Sequence, residues 1–317
     1  MRKQTNIQNI EGKIYQFDLQ EKVSGETSKN PGQPYIAGTI DVATSAAQDN
    51  IVQVHYTWVP PVYKSGKPNS TYNTLKQIIN SGKTVITDGY DSATVVKLNP
   101  SYAVNDFFPE GQDKPVSAPR NEGGFASIVA EGTLHPEGDV GRNRFEYDIV
   151  INNVAEVVPD EGDSYVTVSG VVFNFRNDVL PVTLTARNKE AGKYFLNLDA
   201  SNSNPVYTKV WGKIVNVFTK IEKTTESAFG EATVDTITRR TREYVITGAN
   251  PTPYEFDTEE TITAKELEKA LQDREVYLAE VKKNAEEWRA NKASASNASP
   301  SAQAAQTASV PSGGFKF

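Results

Sequence analysis

The chain has 317 residues, a formal net charge of -7 and 38% hydrophobic residues, enough for two globular modules or one large β domain. It has no cysteine and only two histidines, His55 and His135, which excludes disulfides and thiolate metal sites and leaves little for an imidazole metal centre or a histidine base. No apolar run reaches the roughly 20 residues of a membrane helix, and the first twenty residues lack the apolar stretch of a secretory signal, so a cytoplasmic protein is expected.

From Ile10 to Val59 apolar and polar residues alternate in IEGKIYQFDLQ, YIAGTIDVAT and NIVQVHYTWV, the period of three strands. Tyr72 to Asn80 spaces Leu75, Ile78 and Ile79 for one short helix, and TVITDGY and ATVVKLN read as a further strand pair. Residues 105–124 mix prolines, glycines and charges of both signs, the composition of a linker, so a first module is placed at 1–115. A second, 125–260, contains FASIVAEGTLHP, NRFEYDIVINNVAEVV, YVTVSGVVFNF, LPVTLTARN, KYFLNLDAS and VYTKVWGKIVNVFTKIEK, short strands at the spacing of an all-β barrel or sandwich. A two-stranded ribbon over about 212–247 is expected to protrude or cross to a neighbour.

At Thr263 the period changes. Thr263 and Glu266 make a capping box, and Leu267, Leu271, Leu278, Val281, Ala285 and Trp288 form the stripe of an amphipathic helix over 263–292, expected to pack on the β body in preference to a coiled coil. The remainder, 293–317, is too poor in large apolar residues to order itself, yet it ends on Phe315 and Phe317, a tip that invites docking to a replication protein.

Motifs of catalysis are missing. Ser81-Gly82-Lys83-Thr84 lacks the upstream glycine of a phosphate loop, since position 77 is Gln77, and reads as a turn. Asp160, Glu161 and Asp163 lack the spacing of a calcium loop. No catalytic residue, metal or cofactor is assigned.

Charge and aromatics are more informative. Between Gly170 and Lys220 seven Lys or Arg face three Asp or Glu, with seven aromatics among them. Single-stranded nucleic acid needs this combination, because cations meet phosphates and flat rings stack on unpaired bases. The residues chosen for phosphates are Arg176, Arg187, Lys189, Lys193, Lys209 and Lys213, with a basic arm from Arg239, Arg240 and Arg242. Those chosen for stacking are Tyr194, Tyr207 and Trp211, while by alternation Phe173, Phe175, Tyr56 and Trp58 belong to cores. Affinity is expected to fall steeply with salt.

The segments PYIAGTIDVATSAAQDNIVQVHYTWV, SGVVFNFRNDVLPVTLTARN, SNPVYTKVWGKIVN and TREYVITGANPTPYEFD resemble those of bacteriophage single-stranded DNA-binding proteins. That resemblance implies OB-like β barrels, single-stranded DNA as partner and a role in phage replication or recombination inside the host cytoplasm. The tail is similar to that of bacterial single-stranded DNA-binding proteins, but the acidic residues before the tip are missing and Lys316 sits inside it. The alternative from another class is a virion structural protein, a capsid decoration or tail component, self-associating through its ribbon or helix.

Overall fold

The computed structural model describes residues 4–28, 30–159, 162–225, 233–258 and 261–297. The described residues are predominantly β, with ten strands, three short α-helices and one long C-terminal helix. In chain order the first half forms β1 (Asn6–Val23), β2 (Pro34–Ala43), β3 (Ile51–Val59), α1 (Ser70–Ser81), α2 (Val85–Asp88), β4 (Val95–Phe107) and β5 (Val116–Ile128). β1 pairs β2, β2 pairs β3, β3 meets β5 in parallel at His55 and Glu122, β5 neighbours β4, and β4 returns to β1. The circuit closes a five-stranded barrel.

The second half repeats it with β6 (Asn143–Val157), β7 (Tyr165–Phe173), β8 (Val179–Ala186), α3 (Lys189–Leu196), β9 (Val206–Thr225) and β10 (Thr233–Ala249). Here β6 pairs β7, β7 pairs β8, β8 meets β10 in parallel at Thr185 and Val245, and β9 joins β10 to β6. Both barrels place helix between the third and fourth strands, and both carry an extra residue in the first strand, at Tyr15 and at Asn152. Each is an OB barrel.

Strand β1 binds the barrels together, because its first residues pair with β6 from Asn6–Tyr147 to Ile10–Asn143 before it turns into its own barrel. One apolar core runs through both, including Ile10, Ile40 and Leu98 with Phe145, Tyr147 and Tyr244. The connector after β5 is tied to β1 by charge: buried Glu11 accepts from Asn9 Nδ2, the His135 N–H and Nδ1, and lies 3.2 Å from Lys97 Nζ. Burial raises the Glu11 pKa, but the hydrogen bonds from Asn9, His135 and Lys97 together outweigh it and hold the carboxyl below its ordinary range.

Three expected elements differ. Residues 105–124 do not link the two barrels: they are the end of β4, the connection 108–115 and the start of β5, two strands of the first barrel, and Pro119, Gly123 and Gly124 give β5 the composition of a loop. TVITDGY is the short helix α2, capped by Thr84 Oγ1 accepting from the Thr87 N–H. KYFLNLDAS is no strand: its first four residues are the end of α3, started by Asn188, whose side chain accepts from the Glu190 and Ala191 N–H groups, and the rest is turn and loop.

The β9–β10 ribbon is present, paired from Val210–Ala249 to Thr225–Thr233, and its turn lies outside the described residues. Its base leans on the first barrel of the same chain: Asn216 N–H donates to Asn50 Oδ1 at 2.9 Å and the Tyr244 hydroxyl to Asn121 Oδ1 at 2.9 Å.

The C-terminal helix α4 (Ala264–Asn297) begins with the expected capping box, the Thr263 N–H donating to Glu266 Oε2 at 2.9 Å and the Glu266 N–H to Thr263 Oγ1 at 3.1 Å. Its first turns bury Leu267 and Ala270 with Ile262 and Tyr207 on the outside of the second barrel. A second compact unit comprises 106–116 with 275 onward; within it Lys282 Nζ lies 2.9 Å from Asp113 and Arg289 donates to the Phe108 carbonyl. The stripe is only half used, since Leu278, Val281 and Ala285 are half-buried whereas Leu271 and Trp288 are exposed. Among the described residues no helix is long and apolar enough to cross a membrane, and no group of three or more side chains is arranged to hold a metal. The tail tip, Phe315 and Phe317, lies outside the described residues.

Candidate nucleic-acid interface

In an OB barrel the outer face of the second and third strands is where extended ligands lie. On the first barrel that face carries Tyr35 from β2 and Trp58 from β3, stacked with centroids 4.0 Å apart and planes 23° from parallel. Trp58 is 41% exposed, against the expectation that it joins Val52, Val54 and buried Tyr56 in the core. A β-bulge explains the difference: Ile36 pairs Val59 and Gly38 pairs Tyr56, so Thr57 and Trp58 together oppose Ala37 and both point outward. Gly38 permits the kink, with φ +142 and a site where a Cβ would fall 1.8 Å from the Asp18 carbonyl oxygen.

Lys22 is paired with Tyr35 across β1 and β2. Phe125, 63% exposed, lies on β5 three residues after Glu122, the partner of His55 on β3. Neither Trp58 nor Phe125 was legible as a surface aromatic, the first because a bulge reverses parity and the second because the residues before it resembled a linker, which assigned its strand to the second module.

The corresponding face of the second barrel is hydroxyl-rich, with Ser169 and Thr183 side chains 3.1 Å apart. An arginine over a ring lies at each end: Arg176 is 5.1 Å from the Phe175 centroid and Arg187 4.9 Å from that of Tyr165. Phe173 is buried as expected, but Phe175, in the β7–β8 turn, is 75% exposed.

The residues singled out from sequence do not form one surface. Tyr207 is corrected outright: it is 2% exposed, hydrogen-bonds Gln4 and packs under Tyr254 and Phe256, because the segment leading into α4 covers it. Lys209, Trp211 and Lys213 do share the outer side of β9, opposite Asp148, Glu146 and Arg144 of β6. There Lys209 Nζ lies 3.1 Å from Glu146 and 4.0 Å from Asp148, and Lys213 donates to the Gly138 carbonyl. Burial alone would lower the Lys209 pKa, but those two carboxylates outweigh it and hold the ammonium charged.

Arg187 is spent on a two-pronged pair with Glu243, at 2.7 Å, and Lys193 on Glu190 at 3.2 Å. Arg176 and Lys189 are exposed and make no ion pair among the described residues. Tyr194 is half-buried, its hydroxyl donating to the Asn250 carbonyl at 2.7 Å. With Arg187, Asn188 and residues 248–251 it lines a groove of about 640 Å³ between α3 and the end of β10. The Trp211 indole covers Gly248, where a Cβ would come within 2.4 Å of the ring. The side chains of Arg239 and Arg240 lie outside the described residues, as do Asp160 and Glu161; Arg242 donates to the Pro119 carbonyl at 2.8 Å.

The model of the YorF family matches residues 4–284. The chain belongs to the YorF family. No curated protein matches it. Among solved structures it is similar to the wild-type single-stranded DNA binding protein from Thermus aquaticus, at 10% identity and a TM-score of 0.45, over 81% of this chain and 97% of that one. A deletion mutant of the same Thermus aquaticus protein gives 11% identity and a TM-score of 0.44, over 82% and 100%. The barrel assignment rests on the strand pairings given above.

Proposed function

We propose that this YorF-family chain binds single-stranded DNA without reading its sequence, as a binding protein and not an enzyme. The observation that carries this reading is the exposed Tyr35–Trp58 stack on the second and third strands of an OB barrel. Exposed rings on that face offer π surfaces that accept any unpaired base, whereas a duplex keeps its bases stacked on one another. Phe125 extends the aromatic platform, and Lys22 supplies a cation beside it. The role we infer for such a surface is coating of single strands during replication or recombination.

Fluorescence-anisotropy titration of a labelled single-stranded thirty-mer against the matching duplex tests the reading. Tighter binding of the single strand supports it. Equal affinity for both, or none at micromolar protein and low salt, removes it.

A further inference from the structure

Where β10 of the second barrel passes β5 of the first, two arginines, Arg120 and Arg242, collect without an ion pair among the described residues. Arg242 donates from Nη1 to the Pro119 carbonyl at 2.8 Å, and the Tyr244 hydroxyl donates to Asn121 Oδ1 at 2.9 Å. Asn121 Nδ2 in turn donates to the Gln53 carbonyl on β3 at 2.8 Å. Residues 119–121 are thereby clamped between β3 and β10. Arg120 lies in this clamp, and the next outward residue, Glu122, has its Cα paired with that of His55 while its carboxylate is engaged by the Thr57 hydroxyl.

Among the described residues neither Arg120 nor Arg242 makes an ion pair. Arg242 Nε is buried with no acceptor, so a backbone carbonyl positions this guanidinium and no carboxylate discharges it. The next residue along β10, Glu243, instead pairs with Arg187. The His55 imidazole registers the surplus: burial lowers its pKa most, then Arg120 and Arg242, which together outweigh the opposing Glu122 and Asp41.

We propose that Arg120, Arg242 and His55 form a site between the two barrels for a phosphodiester oxyanion of the bound strand. It rests on the single-strand reading above and deepens it. His55 precedes Trp58 by three positions on β3, about 10 Å at strand spacing. A strand stacked on Tyr35 and Trp58 therefore carries a phosphate to Arg120 and Arg242 within the next nucleotide or two. One guanidinium comes from each barrel, so a single phosphate engages both.

The test uses the full chain, which has only two histidines to resolve. The His55 ring is titrated by NMR alone, with oligothymidylate, and with an abasic deoxyribose-phosphate chain of equal length. Affinity for oligothymidylate is measured against salt for wild type, Arg120→Ala, Arg242→Ala and Arg242→Lys. Both ligands are expected to raise the His55 pKa, since an oxyanion stabilises imidazolium. The alanine variants are each expected to reduce the log–log salt slope, by at most about 0.7, the value for the one phosphate contact on a single strand that the two arginines share, while Arg242→Lys keeps it. If oligothymidylate binds but His55 does not move and the slopes are unchanged, the phosphate site is overturned and the single-strand reading stands. If oligothymidylate does not bind at all, both fall. Should Arg242→Ala fail to fold, the wild-type His55 titration and Arg120→Ala decide.

Discussion

Trp58 shows what a single side chain carries here. Its ring is stacked on Tyr35 and exposed, so Trp58→Ala removes a base-stacking surface worth about 1–3 kcal/mol and is expected to weaken oligothymidylate binding about tenfold to a hundredfold. The salt slope stays as it was, because no charge is lost. A second residue-scale expectation concerns Glu11, buried among Asn9, Lys97 and His135. Its folded pKa is depressed, so the stabilisation is present above the ordinary carboxylate range and is lost as pH falls through the folded value. Glu11→Leu, compared with wild type by urea unfolding, should cost about 1–3 kcal/mol at pH 7, because the donors of Asn9, His135 and Lys97 lose their buried acceptor. The difference should shrink toward the acid end.

At the scale of elements, alternation made nearly all strands readable, since residues such as Ile40, Val54 and Val210 face the core while their neighbours face out. Interruptions of that rhythm were not readable. The bulge that turns Trp58 outward depends on Gly38 meeting β1 across a barrel, and nothing local announces it. The strand β5 was hidden by Pro119, Gly123 and Gly124, and α3 by aromatics, Tyr194 and Phe195, that suit strand and helix alike. Tyr207 was misplaced for the converse reason: its parity pointed outward correctly, but Ile262 and Leu267 arrive from distant sequence to cover it. Gly38→Ala should destabilise the chain by about 2–4 kcal/mol in urea unfolding, since a methyl group would collide with backbone at a positive φ. Thr263→Ala should cost about 1 kcal/mol and speed amide exchange in the first turn of α4, where its hydroxyl accepts from the Glu266 N–H.

At the scale of the molecule, the β1–β6 pairing and the shared core make two barrels one body. Circular dichroism and tyrosine fluorescence are expected to report coincident unfolding for both, and two separated transitions would contradict it. The charge distribution also alters an expectation drawn from sequence. Of the cations chosen there, Arg187, Lys193 and Lys209 are already matched by Glu243, Glu190 and Glu146, so they have little left for phosphates. For the proposed single-strand binding a shallow salt dependence is therefore expected in place of the steep one, with stacking supplying more of the affinity than counterion release. Of the two tryptophans near the barrels, Trp58 is stacked on Tyr35 and exposed, whereas Trp211 covers Gly248.

The most direct test of the binding face is oligothymidylate affinity measured by anisotropy at fixed salt for wild type, Trp58→Ala and Trp211→Ala. The expected result is a loss of at least about tenfold for Trp58→Ala, equivalent to about 1.4 kcal/mol, with Trp211→Ala near wild type. Unchanged affinity in folded Trp58→Ala, or a loss confined to Trp211→Ala, would place the strand elsewhere and contradict the assignment.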